Sequence, residues 1–188
     1  MTAVVRFAPV TGDEDAGLLG ATERERCARL HDPRDRAAFV AAHVLVRECA
    51  GALLGFSPDS VRIEQHCPRC SGPHGRPSVV GHSGVHASLS HTRTHVAAVT
   101  AWSPCGIDVE PLRPVRPPDS ALTPREREQL AMQTDPATAF LRLWVRKEAL
   151  IKAGLGSLDA LDELDADAHQ ERLNDWSGAD AVGAWVVL

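Results

Sequence analysis

Lysine is nearly absent from this sequence of 188 residues. Of its 20 basic residues only Lys147 and Lys152 are lysine, and the others are all arginine. The two residue types are not interchangeable where a compact, mobile charge must meet a phosphate or exchange a proton. Since both lysines lie close to Glu148, this short segment indicates where a functional site should be sought.

The sequence also lacks features that several classes of protein require. The net charge of -5 gives no basic excess, which argues against nucleic acid as a partner. The five cysteines are an odd number, and without signs of secretion we expect no disulfide framework. Apolar runs of membrane-spanning length and a signal-peptide pattern are missing, so we expect a cytoplasmic protein that does not bind membranes.

Capping residues predict where four helices start. A Thr-x-x-Glu pair or an Asp-Pro step begins each of them, because the side-chain oxygen accepts hydrogen bonds from free amides of the first turn. These patterns start at Thr22, Asp32, Thr123 and Asp135, and the two long helices end at Gly55 and Gly154.

Apolar segments between turn residues predict the strands. They lie at residues 1–7, 60–65, 85–90, 96–102, 106–110 and 183–188, with Ser103–Gly106 as a tight turn between two of them. A Cys/Pro/Gly/His-rich loop covers residues 66–84, and a proline-rich loop covers residues 113–119. The order predicts an α+β fold with two rounds of long helix and β-hairpin.

Two acids on the strand at 106–110 point to a cation site. Asp108 and Glu110 are two residues apart, so their side chains leave the same face of the strand, and Pro111 ends it. Paired carboxylates suit Mg²⁺, which takes one or two of them and completes its shell with water and phosphate oxygens. Taken alone, two solvated surface acids at a strand end are the more common arrangement.

A third acid lies on the long second helix. Phe140, Trp144 and Glu148 follow at intervals of four, so the carboxylate shares the face of two aromatic side chains. A carboxylate there is costly unless a metal or a cation compensates it. The alternative is a surface pair between Glu148 and Lys152. Three acids with Lys147 and Lys152 beside them favour a divalent-metal and phosphate site.

These segments resemble the paired signature of the 4'-phosphopantetheinyl transferases, most closely the surfactin-synthetase-activating type. The first is Gly106-Ile107-Asp108-Val109-Glu110, and the second is residues 140–154, with Trp144, Lys147, Glu148 and Lys152 in order. Weaker matches lie upstream at Gly75-Arg76-Pro77, at residues 87–92 and in the basic stretch from Arg26 to Arg47.

The resemblance implies a fold and an activity. The family fold is a pseudo-dimer of two similar α/β halves in one chain, which would here be residues 1–112 and 113–188, with coenzyme A in the cleft between them. The implied reaction moves 4'-phosphopantetheine from coenzyme A to a serine of an apo acyl or peptidyl carrier protein and releases 3',5'-ADP. We therefore expect a monomer that serves polyketide, nonribosomal peptide or fatty-acid synthesis.

The resemblance also assigns the site residues. Asp108, Glu110 and Glu148 would hold Mg²⁺, with Mn²⁺ as the alternative ion. Glu148, or a water that it holds, would accept the proton of the carrier serine. Lys147 and Lys152 would bind the pyrophosphate and stabilise the leaving group.

Five further residues would contact coenzyme A by the same resemblance. His91, next to Ser90, would bind one of its phosphates, and Arg76 the nucleotide. Arg26 and Arg36 would bind the ribose 3'-phosphate, a role for which Arg29, Arg34 and Arg47 compete.

The loop at residues 66–84 carries a second pattern. Cys67 and Cys70 have the C-x-x-C spacing of a zinc knuckle, with His74 as a third ligand. A fourth ligand would come from Cys27, His66, His82 or His86. Because there is no second C-x-x-C, two free thiols in a structural loop are favoured over zinc.

Two other functions fit the same residues. One is a metal-dependent nucleotide phosphohydrolase that uses the same acids without a carrier protein. The other is a zinc-stabilised interaction module built around Cys67 and Cys70.

Overall fold

The computed structural model describes residues 2–67 and 69–188, and within them it has eight strands and four α-helices. The strands are β1 Ala3–Pro9, β2 Ile63–Gln65, β3 Pro77–Val79, β4 His86–His91, β5 His95–Ala101, β6 Cys105–Pro111, β7 Leu173–Ser177 and β8 Ala181–Val187. The helices are α1 Ala21–Ala28, α2 Pro33–Leu54, α3 Pro124–Ala131 and α4 Pro136–Ala153.

The strands form two antiparallel sheets, each covered by one long helix. The first sheet has the order β1-β5-β4-β3-β2 and packs against α2, and the second has the order β6-β8-β7 and packs against α4. The α+β class is therefore confirmed, with two units of long helix on sheet in one chain. Strand β6 belongs to the sheet of the C-terminal unit. The division of the chain into two halves between residues 112 and 113 stays a prediction.

The predicted capping residues account for three of the helix starts. The Asp32 side chain accepts from the Arg34 amide at the start of α2, and Asp135 accepts from Thr138 at the start of α4. Thr123 forms a capping box at the start of α3. The box predicted for α1 is wrong, because the helix starts two residues earlier and its reciprocal partner is Glu23, which accepts from the Gly20 amide.

Helix α2 forms the core of the first unit. Its small buried residues Ala42, Val46 and Ala50 allow close packing on β4 and β5. Contrary to the expectation from apolar runs, this helix of 22 residues is long and apolar enough to span a membrane, with a mean hydropathy of 1.6 over 18 residues. However, 67% of that window is buried within the protein, which is typical of a core helix.

Helix α4 lies directly on β6 at Gly106. A Cβ atom at this position would lie 1.9 Å from the Ala149 carbonyl oxygen and 2.6 Å from the Ala153 amide nitrogen. Only glycine permits this approach of helix and strand backbones. Because residues 106, 108 and 110 share one strand face, the same contact brings α4 over the acids of β6.

The two sheets meet where β6 runs beside β4. A bend joins β5 to β6 near the predicted turn, but the two strands do not pair, since β6 pairs with β8 and β5 pairs with β1 and β4. Serine side chains of β4 bind β6 instead: Ser88 Oγ accepts from the Ile107 amide at 3.3 Å, and Ser90 Oγ accepts from the Val109 amide at 3.4 Å. The sequence did not predict two of the strands: β3, which lies between β4 and β2 in the first sheet, and β7, which forms one edge of the second.

Candidate active site

Asp108 is the most enclosed acid of the site. It is 5% exposed, in the middle of β6 between the two units. Its Oδ1 accepts from Ser90 Oγ at 2.7 Å and from Lys152 Nζ at 2.6 Å. Strand β4 and helix α4 thus each contribute one donor to the same carboxylate oxygen, which fixes the orientation of the group.

The other oxygen of this carboxylate lacks a protein partner. Among the described residues, Asp108 Oδ2 is one of three buried side-chain polar atoms without a hydrogen bond. An unpaired buried carboxylate oxygen costs free energy, so native proteins pair such atoms with a donor or an ion. The donor set of Asp108, Glu110 and Glu148 consists of oxygen atoms only, which suits Mg²⁺ or Mn²⁺.

The acids of this cluster repel one another. Burial raises the pKa of Glu110, as do the charges of Asp108 and Glu148, against the opposing charges of Arg113 and Lys152. Burial also raises the pKa of Glu148; Lys152 opposes this shift and Asp108 adds to it. The three acids predicted from the sequence therefore lie near enough for their charges to raise the pKa values of Glu110 and Glu148, although their oxygen atoms do not form a group that lies wholly within 4.8 Å. A cation between them would relieve this repulsion.

Lys152 lies at the edge of the acidic cluster. Besides Asp108, its Nζ donates to the Ile107 carbonyl oxygen at 3.1 Å, and 28% of the side chain remains exposed. Lys152 and Arg76 line the same recess of about 320 Å³, although they come from different halves of the chain. Two cations on one recess suit an anionic group such as a phosphate.

Lys147 lies away from this site, which corrects its predicted role at the pyrophosphate. Its side chain is fully buried, with Nζ 2.5 Å from a carboxylate oxygen of Glu126. The same Nζ donates to the carbonyl oxygens of Ala121 and Leu161, both at 2.8 Å. A residue one position before Glu148 lies about 100° around the helix, so Lys147 faces α3 and the neighbouring loops instead of β6.

Ser90 and His91 have different surroundings although they are adjacent. Ser90 is buried, and its hydroxyl donates a hydrogen bond to the Asp108 carboxylate. His91 is exposed at the end of β4. Partial desolvation lowers the pKa of His91, and the positive charges of His43, Lys152 and Arg26 add to the effect. A neutral imidazole near several cations can donate one hydrogen bond to a phosphate.

Arg26 lines a larger cleft of about 550 Å³ between α1, β2 and the Cys/His-rich loop. Its guanidinium lies 5.1 Å from the centre of the Phe39 ring and donates to Gln65 Oε1 at 2.6 Å. The described residues around this cleft do not include Arg36, which donates to the Leu30 and His31 carbonyl oxygens in the turn between α1 and α2. Of the two arginines predicted for the 3'-phosphate, only Arg26 reaches the cleft.

A buried network beneath this cleft was missed from the sequence. Glu23 accepts from Arg47 Nη2 at 2.5 Å, and its other oxygen lies 2.7 Å from His43 Nδ1. Burial alone would raise the pKa of Glu23, but the hydrogen bonds from His43, Arg47 and the Gly20 amide lower it to about 2. Arg47, one of the competing phosphate ligands, is thus committed to Glu23. The sequence does contain a sign of this network: His43 and Arg47 are polar residues, four positions apart, on the apolar face of α2.

Comparison with known proteins identifies relatives of this chain. Residues 104–185 match the profile of the 4'-phosphopantetheinyl transferase superfamily, and this range includes β6 and α4. The chain is 30% identical over 160 residues to the 4'-phosphopantetheinyl transferase HetI of Nostoc sp.. It is 27% identical over 171 residues to a 4'-phosphopantetheinyl transferase of Bacillus subtilis, and 25% identical over 165 residues to the enzyme Sfp of Bacillus subtilis strain 168.

The aligned regions cover most of this chain and about two thirds of each relative. The alignment with HetI spans 80% of the chain and 65% of HetI. The other two span 87% and 82% of the chain, with 71% and 68% of the relatives.

Proposed function

Because residues 104–185 match the 4'-phosphopantetheinyl transferase superfamily and the aligned relatives are transferases of that name, we propose that this chain belongs to the superfamily and transfers 4'-phosphopantetheine from coenzyme A to a serine of an apo acyl or peptidyl carrier protein. The observation that carries the proposal is the buried carboxylate of Asp108, with one oxygen held by Ser90 and Lys152 and the other unpartnered among the described residues. We further propose a cytoplasmic monomer that serves polyketide, nonribosomal peptide or fatty-acid synthesis.

Three carboxylates would hold the divalent cation of this reaction. Asp108 would contribute its free Oδ2, and Glu110 and Glu148 one oxygen each, to Mg²⁺ or Mn²⁺. When bound, the ion supplies positive charge to the pyrophosphate and thereby stabilises the transition state of phosphoryl transfer.

Glu148 is the proposed general base. It is a half-buried carboxylate of the acidic cluster, and a positioned glutamate is a common general base. It would take the proton of the carrier serine as that oxygen attacks the phosphorus next to pantetheine. The bond from this phosphorus to the bridging oxygen breaks, and 3',5'-ADP leaves with the electron pair.

The cations around the cluster would bind the rest of coenzyme A. Lys152 and Arg76 share a recess and would hold the pyrophosphate, with His91 as a further donor. Arg26 would bind the 3'-phosphate from the neighbouring cleft, where Phe39 and Gln65 hold its guanidinium.

Mass spectrometry of a carrier protein tests this proposal. A panel of apo acyl and peptidyl carrier domains is incubated with the enzyme, coenzyme A and Mg²⁺. We expect the mass of at least one carrier to rise by one phosphopantetheine group, and only when Mg²⁺ is present. Release of phosphopantetheine without any carrier would instead identify a nucleotide phosphohydrolase, and an unchanged mass for every carrier with a folded enzyme would refute the transfer.

A further inference from the structure

A second group of metal-binding side chains lies outside the acidic cluster. The ligand atoms of Cys67, Cys70 and His74 all lie within 4.8 Å of one another. Cys70 Sγ is 3.0 Å from His74 Nε2, and all cysteines in the described part of the chain are free thiols. The proposed transfer reaction assigns no role to these three residues.

Their spacing is close to that of a tetrahedral zinc shell. Zinc–sulfur and zinc–nitrogen distances of about 2.3 and 2.0 Å place neighbouring donor atoms about 3.5–3.8 Å apart. All three donor atoms lie within 4.8 Å of one another, and the 3.0 Å between Cys70 Sγ and His74 Nε2 would have to widen to admit the ion. The sequence alone did not show this convergence, because the spacing C-x-x-C-x-x-x-H is compatible with many loop conformations.

The backbone of this loop is held without an apolar core. None of the described residues between 66 and 76 is buried. Ser71 nevertheless has a φ of 57°, the one positive value for a non-glycine residue in the described ranges. The loop is closed by the Cys67 amide donating to Gly72 at 2.9 Å and the Ser71 amide donating to Cys67 at 2.8 Å. A metal would supply the cross-link that buried side chains do not.

We propose that Cys67, Cys70 and His74 bind Zn²⁺ with three protein ligands. Two thiolates and an imidazole are ligands that favour zinc over Mg²⁺, so this site and the acidic cluster would hold different metals. Within the described residues no further cysteine, histidine or acid joins the three, which leaves the fourth position to water.

The zinc site would stiffen one wall of the Arg26 cleft. Ser71 and Pro73 line that cleft, and the Gln65 side chain joins the two parts: it accepts from Arg26 and donates to the Gly75 carbonyl oxygen at 2.7 Å. This inference rests on the proposed function: if coenzyme A binds in the Arg26 cleft, zinc supports its binding without taking part in the reaction.

Metal analysis of the full chain tests the site itself. We expect about one zinc ion per chain after purification and dialysis, and at least a tenfold loss of zinc affinity in Cys67→Ser and His74→Ala, on the order of what ligand-shell changes cause. Cys27→Ser and His31→Ala remove a thiol and an imidazole outside the cluster and should retain the ion. Cobalt added to the apo protein should give a thiolate-to-metal charge-transfer band that is much weaker in Cys67→Ser, which retains one thiolate ligand.

The outcomes separate this proposal from the transferase proposal. A wild-type chain that binds neither zinc nor cobalt, with its thiols reduced or joined in a Cys67–Cys70 disulfide, would overturn the zinc site whatever the activity. Zinc binding without phosphopantetheine transfer would retain the site and refute the proposed function. Calorimetry with coenzyme A tests the link between them: chelation of zinc should weaken binding several-fold, and unchanged affinity would refute the stiffening role.

Discussion

At the scale of single residues, the acids of the site oppose the stability of the metal-free fold. The pKa values of Glu110 and Glu148 are raised by burial and by neighbouring acids. The folded chain therefore binds protons at these groups more tightly than the unfolded chain. Its free energy of unfolding should fall as the pH rises through these raised pKa values.

Removal of one of these charges should stabilise the metal-free protein. We predict that Glu148→Gln unfolds at a higher temperature than the wild type at neutral pH without Mg²⁺. A saturating excess of Mg²⁺ should stabilise the wild type by about 2.7 kcal/mol at 100 times its dissociation constant, and the variant much less. Thermal unfolding followed by circular dichroism measures both effects, with Glu163→Gln as an exposed acid control. An equal Mg²⁺ effect in Glu148→Gln would contradict the metal assignment.

The two lysines are predicted to differ in what they stabilise. Lys147→Met leaves the buried Glu126 without its partner, which should lower the free energy of unfolding by about 3–5 kcal/mol. The double variant Lys147→Met/Glu126→Gln should regain part of this loss in urea unfolding experiments. Among molecules that remain folded, kcat should stay close to the wild-type value, and a large fall in kcat at unchanged stability would restore Lys147 to the site.

At the scale of secondary structure, the contact of α4 with β6 positions the site. Gly106→Ala would place a Cβ atom against the Ala149 carbonyl group, so the helix must move away from the acids of β6. We predict a loss of stability of more than about 3 kcal/mol, together with loss of Mg²⁺ binding. Gly84→Ala is a suitable control, because its added Cβ would meet no atom within 4 Å. Equal stability of the two variants would contradict the close packing.

The sequence predicted the local features of these helices and strands better than it predicted which elements pack or pair with one another. The caps at Asp32, Thr123 and Asp135 are local interactions, and the structure has all three. The strand alternation that grouped Asp108 with Glu110 is local as well. The pairing of β6 with β8 is a contact between distant parts of the chain, and the predicted turn between β5 and β6 gave no sign that the two strands lie in different sheets.

The same limit explains the error at Lys147. Helical periodicity showed that Glu148 shares a face with the aromatic residues, but not which element covers the other faces of α4. That element proved to be α3 with Glu126, whose carboxylate serves both as a capping residue and as the partner of Lys147. Likewise, the sequence contains Cys67, Cys70 and His74 at suggestive intervals, whereas their convergence depends on the loop conformation.

At the scale of the whole molecule, the acidic cluster lies where the two sheet-and-helix units join. Ser90 from the first unit and Lys152 from the second bind the same oxygen of Asp108. The buried Glu23 network, by contrast, joins α1 to α2 within the first unit. Stability of the first unit should therefore depend on pH through a group that does not belong to the acidic cluster.

The pH dependence of that network has a definite sign. The pKa of Glu23 falls from 4.5 to about 2 on folding, so its contribution is complete above pH 4.5 and is lost as the pH falls from 4.5 towards 2. We predict that this group contributes about 3 kcal/mol at neutral pH. Urea unfolding across this range should show a smaller dependence on pH in Glu23→Gln than in the wild type. The same slope in both proteins would contradict the network.

The most direct test of the central claim is the mass of an apo carrier protein after incubation with coenzyme A, Mg²⁺ and each of two enzymes. With wild-type enzyme the carrier should gain one phosphopantetheine group. With Glu148→Gln, which keeps the fold but lacks the proposed base and metal ligand, the rate should fall by at least about 100-fold. A carrier modified equally fast by both enzymes would contradict the assignment of this acidic cluster as the active site.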